Sequence, residues 1–424
     1  MEDNKQIEEN NKKNNQLFLQ GVLTGALSCL VCFMLFISAL NVTGTIDLSR
    51  AVNGTSGKYA SLEKKILKKV NTLELFIDEY FLDDIDEEKM ADSVYKGVIN
   101  GLGDDYAAYY TAKEYQDIQE KTEGIYCGIG SYISADTKTG LVSIVKPMKG
   151  SPSEKAGVKA GDLIYAVDGK EVTGMEISQV QALVKGKKGS KVKLTLVRDE
   201  KKIEVTVTRD EIVEDTVQSQ MLDGKIGYVQ VSSFEQVTSE QFRKAIKKLE
   251  NQGEKGLIID LRNNGGGLLD TAVDMLDRML PEGVVVYSKD KSGQKQEYKA
   301  TNPDRFDKPL VILVNENSAS ASEVFSGAIQ DEKAGVLIGT QTFGKGIVQG
   351  IFALDDGSAV KMTTAKYYTP KDRNIHGKGL TPDVEVKLSD QVQKLPESGS
   401  KVDNQLKAAW DYLQKKNTVN RRER

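Results

Sequence analysis

The sequence predicts a mixed α/β protein, and three observations support this fold class. Strand-like apolar runs alternate with amphipathic helix patterns through residues 211–390, which is typical of an α/β layer structure. Residues 123–210 are rich in short strand patterns and contain a single helix pattern. The chain has 424 residues, 39% apolar and 28% charged, so it is long enough for two or three globular domains.

The first 60 residues predict a tail, a membrane span and a linker. Residues 1–16 are polar and predict a cytoplasmic tail without fixed structure, while residues 41–60, rich in Asn, Thr, Gly and Ser, predict a linker. Residues 17–40 carry no charge, and their number suffices for a transmembrane helix. Lysines before this span and Asp47 after it favour a single-pass cell-membrane protein with its catalytic part on the extracytoplasmic side. A cleavable signal peptide is the alternative, which the long polar leader disfavours.

Composition argues against several functional classes. The net charge of −4 does not favour a nucleic-acid partner, which would normally meet a basic face. Three cysteines cannot form a disulfide framework, and with a single histidine they offer few ligands for zinc. We therefore predict no metal and no organic cofactor. Any hydrolase here has one imidazole, that of His376, available as a base.

Helical patterns flank the two larger units. Residues 61–122 predict a helical region, with apolar side chains at three- and four-residue spacing and a break at Gly101–Tyr106. Packing or dimerisation is the expected role of this region. Residues 391–424 predict a helical tail, in which Asn404–Lys415 is amphipathic and contains the only tryptophan, Trp410.

Residues 123–210 resemble a PDZ domain in the order of their elements. Asp168-Gly169 between apolar flanks is a strong two-residue hairpin signal. A helix pattern, Ile177–Lys185, lies between the later strands. The predicted strands are Leu141–Val145, Leu163–Val167, Val192–Val197 and Ile203–Thr208.

The PDZ resemblance implies a peptide-binding groove. Gly128, Ile129 and Gly130 resemble the loop whose backbone N–H groups hold a peptide's C-terminal carboxylate, and the bound peptide would add a strand beside that loop. Val180 and Leu183, with Val184, would face the groove from the helix. Plain core packing is the alternative role for these three apolar side chains.

Asn315–Glu323 forms a corner between a strand and a helix within residues 211–390. The apolar run Pro309–Val314 leads in, and the helix-like run Val324–Asp331 leads out. A serine at such a corner is well placed as a nucleophile, because the free N–H groups of the helix can stabilise an oxyanion. Helix capping explains the pattern equally well, since Ser320 and Glu323 have the S-x-x-E spacing of a capping box.

Two further loops could take part in chemistry. Glycines 265–267 follow the predicted buried strand Leu257–Leu261, where their N–H groups could be oxyanion donors or simply allow a tight turn. Gly339–Gly346 comes within one residue of a phosphate-binding loop. Gly346 replaces the hydroxyl residue that would hold magnesium, and a strand pattern follows instead of a helix, so nucleotide binding is a poor fit.

Lys345, in the last of these loops, is a candidate general base. A lysine can accept a proton from serine when its pKa falls from about 10.4 towards neutrality. Burial among apolar groups without a carboxylate partner has that effect, and Phe343, Ile347 and Val348 supply apolar neighbours. A solvated loop lysine is the alternative, and His376 is the lower-ranked base.

Six motifs in order resemble the carboxy-terminal processing peptidases, the tail-specific serine proteases with an embedded PDZ domain. The resemblance spans residues 62–388 and implies a helical part, a PDZ domain and an α/β core similar to the crotonase spiral. The motifs are Gly101–Tyr106, the PDZ segment, Asp260–Asn264, Ser318–Glu323, Thr342–Gly346 and His376–Gly379.

The resemblance also implies catalytic roles. It assigns Ser320 as nucleophile, Lys345 as base and Gln349 as the residue that orients the lysine. The backbone N–H groups of Ala321 and Gly266 would be the oxyanion donors. In some members an aspartate corresponding to Asp331 is also implicated.

Two positions depart from the family pattern. Gly265 and Asp105 each stand where the family usually has proline. Neither departure removes a catalytic group.

The sequence thus predicts a membrane-anchored serine endopeptidase with a Ser–Lys dyad. Its partners would be proteins or peptides with exposed C-termini, recognised through the PDZ domain, and a homodimer is plausible. An inactive, membrane-tethered PDZ scaffold is the first alternative, and a nucleotide hydrolase is the second.

Overall fold

The computed structural model describes residues 59–136 and 140–422, which divide into two compact units at Asp86/Glu87. The predicted tail and membrane span, and nearly all of the linker, lie outside these residues. Within the described part of the chain, no helix is both long and apolar enough to cross a bilayer.

In the first unit, the described chain forms helix α1, Ala60–Tyr80. It coincides with the amphipathic pattern that the sequence shows. None of its residues is buried, and its apolar side chains, Leu75 and Phe76 among them, are largely exposed.

The second unit begins with helix α2 (Glu87–Asn100), strand β1 (Ala108–Tyr110) and helix α3 (Ala112–Glu123). A capping box starts α3, because Thr111 and Glu114 each accept the other's backbone N–H through their side chains. Gly124 ends α3 at φ 72°, a conformation that glycine adopts without steric cost. The chain then turns directly into the β-rich segment.

The segment predicted as a PDZ domain forms a sheet in the order β3-β4-β5-β7-β8, with β6 paired to β5. Strand β3 is an edge of this sheet, and β2 pairs with β9 beside it. Asp168 and Gly169 adopt positive φ and form the predicted two-residue hairpin. The elements are β2 (Ile125–Gly128), β3 (Ser131–Ala135), β4 (Val142–Pro147), α4 (Pro152–Lys155), β5 (Leu163–Val167), β6 (Lys170–Glu171), α5 (Ile177–Val184), β7 (Lys191–Arg198), β8 (Lys201–Thr208) and β9 (Asp210–Val213).

The following segment forms two sheets. Its elements are β10 (Val217–Leu222), β11 (Ile226–Val231), α6 (Thr238–Asn251), β12 (Gly256–Asp260), α7 (Leu269–Met279), β13 (Gly283–Asp290), β14 (Lys295–Ala300), β15 (Leu310–Val314), α8 (Ala321–Asp331), β16 (Val336–Gly339), β17 (Ile347–Ala353), β18 (Ala359–Tyr368) and β19 (Val384–Glu385).

The first sheet has the order β10-β11-β12-β15-β16-β19 and is parallel from β11 onward. Its inner strands are buried on both faces, so they read as continuous apolar runs in the sequence. Leu257 and Ile259 face the helices α6, α7 and α8, whereas Ile258 belongs to the core cluster on the opposite face. The buried strands and helices of this layer were predicted within a few residues.

The second sheet pairs β1, β18, β13 and β14, with β17 on the other side of β18. The sequence did not predict β18, its ten-residue central strand. Most β18 side chains are only partly buried and several are polar or charged, so neither apolar alternation nor a continuous apolar run marks this strand. This sheet connects the N-terminal β1 to the segment that follows the β-rich domain.

The C-terminal residues add β20 (Gln393–Lys394), β21 (Lys401–Val402) and helix α9 (Asn404–Arg422). Helix α9 covers the second face of the parallel sheet through its apolar side chains, Trp410 and Leu413 among them. The Trp410 indole N–H donates to the Asp223 carbonyl (2.8 Å). The helical tail is therefore part of the core.

Candidate active site

Ser320 lies between the buried strand β15 and helix α8. Its backbone has φ 55° and ψ −115°, a conformation that residues other than glycine rarely adopt. The Ser320 hydroxyl makes no cap hydrogen bond. The next N–H group, that of Ala321, is the first of the helix and has no acceptor among the described residues. The corner thus presents a hydroxyl beside a free helix N–H.

Glu323 joins this corner to the loop that carries Lys345. Its carboxylate is completely buried and accepts four hydrogen bonds. Oε2 accepts the backbone N–H groups of both Ser320 (3.0 Å) and Lys345 (2.7 Å). Oε1 accepts the Gly344 N–H (2.7 Å) and the Thr342 hydroxyl. One carboxylate oxygen therefore fixes the backbones of the predicted nucleophile and base relative to each other.

The Lys345 side chain is half-buried, immediately before β17. Its Nζ makes no hydrogen bond or ion pair with the residues that the structure describes, and it lies 4.7 Å from the centre of the Tyr106 ring. Burial, reinforced by the nearby charge of Lys361, lowers the pKa of the Lys345 amine below its ordinary value, while Asp104 opposes this shift. The direction is the one that a general base needs.

Gln349 has a different contact from the one expected. Its side-chain Nε2 donates to the Tyr106 carbonyl (2.7 Å), and no hydrogen bond joins it to Lys345. Gln349 therefore binds the backbone of the residue whose ring lies at the Lys345 amine, and not the lysine itself.

The glycine loop contacts the nucleophile directly. A methyl group built on Gly266 would lie 2.9 Å from Ser320 Cβ and 2.9 Å from the Ala321 nitrogen. The Gly266 N–H, predicted as the second oxyanion donor, donates to Asn264 Oδ1 (2.9 Å). Asn264 is fully buried, and its carbonyl accepts the Ala319 N–H (3.0 Å). The loop is in place beside Ser320, with the Gly266 donor already used.

Two secondary candidates have other partners. Asp331 lies at the far end of α8 from Ser320, where it pairs with Arg373 (2.5 Å) and accepts the Lys371 N–H. The backbone of His376 packs against the Lys345 loop, since a methyl group on Gly346 would lie 2.5 Å from its nitrogen. Gly339–Gly346 leads into β17 rather than a helix, so this loop lacks the helix N-terminus that a phosphate-binding loop uses.

A cavity of about 450 Å³ lies in the β-rich segment. The predicted loop Gly128–Gly130 lines it, as do Gln181, Val184 and Lys185 from helix α5. Its remaining lining includes residues of α3, Glu120 and Lys121 among them. Lys185 pairs with Glu120 (3.2 Å), so α3 closes part of the cavity rim.

The sequence predicts Val180 and Leu183 at this groove. Neither lines the cavity; Val180 is fully buried in the core of the domain, and Leu183 packs against that core. The helix turns these two positions towards the sheet, and Val184 is the apolar helix residue at the groove. Both side chains thus make the core contacts that the alternative interpretation expects.

Sequence reasoning missed the site roles of three residues. The sequence indicates Glu323 only as a helix cap. A carboxylate at the start of a helix can also accept hydrogen bonds from a second loop, and this was the available signal. Asp104 and Tyr106 lie in a motif that the resemblance had marked, Gly101–Tyr106, but nothing in the sequence placed it beside Lys345.

Similarities to known proteins identify the family of this chain. Residues 225–386 match Peptidase family S41, and residues 143–198 match a PDZ domain. The carboxy-terminal processing protease CtpA of Bacillus subtilis is 38% identical over 369 residues, covering 86% of this chain and 78% of that protein. The chain belongs to the carboxy-terminal processing proteases of peptidase family S41.

Other relatives of this protease are similar over comparable lengths. The carboxyl-terminal-processing protease of Synechocystis sp. is 35% identical over 318 residues, 74% of each chain. Among solved structures, the photosystem II D1 C-terminal processing protease has 30% identity and a TM-score of 0.47, covering 78% of this chain and 87% of that one. Family membership confirms a serine-type peptidase with a PDZ domain, and the inactive scaffold is not favoured.

Proposed function

We propose that this protease cleaves proteins through a Ser320–Lys345 dyad. Neutral Lys345 takes the proton of the Ser320 hydroxyl as it attacks the scissile carbonyl, and returns it to the leaving amine. Water then hydrolyses the acyl-enzyme with Lys345 as base. The proposal rests on the Glu323 carboxylate, because one of its oxygens accepts the backbone N–H groups of both Ser320 and Lys345.

The oxyanion would form beside Ala321 and the glycine loop. The Ala321 N–H is available at the start of α8, where the helix N-terminus also favours negative charge. For Gly266 to be the second donor, its N–H must leave Asn264 Oδ1 or be shared with the oxyanion. A small rotation of this loop would therefore accompany activation.

The PDZ groove would recruit the substrate through its C-terminus. Strand β3 is a free sheet edge next to Gly128–Gly130, so an extended peptide can pair with β3 while its carboxylate meets the loop. Ile133, Ile164 and Val184 line the cavity and favour an apolar terminal side chain. The groove thus fits an apolar protein C-terminus.

Hydrogen bonds connect this groove to the glycine loop. The Gln236 N–H donates to the Thr122 carbonyl at the end of α3, the helix that lines the cavity (3.0 Å). Two residues earlier, the Phe234 N–H donates to the Gly266 carbonyl (3.0 Å). A peptide that displaces α3 could shift the oxyanion loop by this route, so substrate binding and activation would be coupled.

Two wider features remain proposals. The charge-free run 17–40 would anchor the protease in the cell membrane, with the active site outside. The exposed apolar side chains of α1 and α2 would be covered in a homodimer. Membrane fractionation and light scattering test these two features.

Substitution of the dyad tests the mechanism. Ser320→Ala and Lys345→Ala should each lower cleavage of an unstructured protein, such as β-casein, by about 10³-fold or more. His376→Gln is the matched control and should keep most activity, because the contact of His376 with Gly346 in the Lys345 loop is made by its backbone. Substantial cleavage by Lys345→Ala, with loss in His376→Gln, would replace the lysine by the histidine as base.

A further inference from the structure

The surroundings of the Lys345 amine come mainly from a segment about 240 residues earlier in the chain. The Tyr106 ring lies under the amine, with 4.7 Å between Nζ and the ring centre. Tyr106 is itself partly buried, and the Asp104 carboxylate acts on the charge of the amine. The loop that contains Lys345 fixes its backbone, whereas the Tyr106 ring covers its amine.

The strands next to Lys345 anchor this segment at three points. Asp104 accepts the Tyr106 N–H through Oδ1 (3.0 Å) and the Thr363 N–H through Oδ2 (3.1 Å). Gln349 donates to the Tyr106 carbonyl (2.7 Å). The following residues form β1, which pairs with β18 from Ala108 onward. These contacts fix the backbone of Tyr106, from which its ring reaches the Lys345 amine.

A local irregularity in the sheet makes the anchoring possible. The register between β17 and β18 shifts between Val348 and Gln349, and Gln349 lies opposite Thr363. At such a bulge the ladder is interrupted, which frees backbone groups and redirects side chains. Gln349 and Thr363 both use this freedom to bind residues 104–106. Residues 104–106 are therefore bound at this bulge, close to the proposed base Lys345.

We propose that Asp104, Tyr106 and Gln349 form a positioning device for the general base, in which the Tyr106 ring excludes water from the Lys345 amine and Gln349 holds that ring in place. The inference rests on the proposed Ser320–Lys345 dyad. A lysine acts as a base only in its neutral form, and exclusion of water disfavours the charged form. Gln349 therefore acts on the lysine through Tyr106.

The charged and titratable groups around the amine set the expected pH response. Lys361 on β18 disfavours the ammonium form, and Asp104 favours it. Glu323 meets only the Lys345 backbone N–H, and His376 contacts the loop through its backbone at Gly346. Removal of the Tyr106 ring leaves these groups in place and has two opposite effects on the amine. It admits water, which favours the ammonium, and it removes the attraction of the ring face for the ammonium. We expect the entry of water to dominate, so the pKa of Lys345 should rise.

The test is the pH profile of Tyr106→Ala and Tyr106→Phe in the full-length protein. The readouts are kcat/KM for β-casein and the rate at which a fluorophosphonate probe labels Ser320. In Tyr106→Ala the acidic limb of both profiles should move up by about one pH unit, an approximately tenfold loss at pH 7 that recovers at high pH. Tyr106→Phe keeps the ring and should follow the wild type.

A tyrosine elsewhere gives the matched control. The Tyr165 ring lies under Lys202, 3.3 Å from its Nζ, in the PDZ domain and outside the groove lining. Tyr165→Ala removes the same kind of contact and should leave the acidic limb unchanged. A loss in Tyr106→Ala that is equal at every pH would instead show a purely structural role and overturn the proposal.

A double-mutant cycle tests the role of Gln349. Gln349→Ala should move the limb in the same direction, and it should add nothing to Tyr106→Ala, because both act by the same route. Additive shifts would show that Gln349 acts on the lysine independently of Tyr106. An active Lys345→Ala protein would remove the proposed dyad itself, whereas an inactive one with an unshifted Tyr106→Ala profile would remove only the positioning device.

Discussion

The two halves of the proposed dyad are held in different ways. Four hydrogen bonds to the buried Glu323 carboxylate fix the backbone at the nucleophile corner and in the base loop. The Lys345 amine, in contrast, has no hydrogen bond to the residues that the structure describes and rests on the Tyr106 ring. The nucleophile is placed by rigid polar contacts, and the base is tuned by packing.

This difference has a chemical reason. A backbone can be fixed by charge-assisted hydrogen bonds without changing its reactivity. An amine that must stay neutral would be charged by a carboxylate partner, so it has to be positioned by apolar contact instead. Substitutions on the nucleophile side should therefore lower the rate at every pH, and substitutions near the amine should shift the pH profile.

The largest expected effect is that of Glu323→Gln. The amide would place donors against backbone N–H groups, so kcat/KM should fall by about 100-fold at every pH, and the free energy of unfolding by about 2 kcal/mol. Kinetics and denaturant unfolding measure both. Glu332→Gln, an exposed carboxylate at the end of the same helix, is the control and should change neither. A shift of the acidic limb of the pH profile in Glu323→Gln would contradict the expectation that substitutions on the nucleophile side change only the rate.

An intermediate effect is expected for Gly266→Ala. Gly266 has φ 100°, and its added methyl group would lie 2.7 Å from the Ala319 carbonyl oxygen and 2.9 Å from Ser320 Cβ. The strain should cost about 1–3 kcal/mol of stability and lower kcat by about tenfold or more, without a pH shift. At Gly265 a methyl group meets open space, so Gly265→Ala should be clearly milder. Equal losses of stability and kcat in Gly266→Ala and Gly265→Ala would contradict the close contact between Gly266 and the Ser320 corner.

The smallest expected effect, and the sharpest test of the base side, is that of Lys361→Gln. Its positive charge helps to lower the pKa of Lys345, so its removal raises that pKa and reduces the neutral fraction at pH 7. The acidic limb of kcat/KM should move up by less than one unit and activity should recover at higher pH. Lys299→Gln, on the outer strand β14, should show no shift. A downward shift in Lys361→Gln would reverse the assigned sign.

Local signals made much of the site predictable. The buried strands of the parallel sheet are continuous apolar runs, and the turn from Val314 into α8 combines small residues with a helix start. These features depend on residues close in the sequence, which is why the strand-to-helix corner at Ser320 and the glycine loop could be predicted from local patterns. The groove helix was harder, because Val180, Leu183 and Val184 all fit its apolar face, and packing on the sheet decides which one meets the groove.

The sequence alone determined the family, and it predicted the nucleophile corner, the glycine loop and a lysine as the base. Only the tertiary structure decided that Glu323 binds both loops, that Gln349 reaches Tyr106, and that the Gly266 N–H is already donated to Asn264. These contacts join residues between 2 and 243 positions apart, through side chains whose local patterns suit caps or solvent equally well. Burial and hydrogen-bond partners arise when distant segments pack together, so the pKa of Lys345 is a property of the fold.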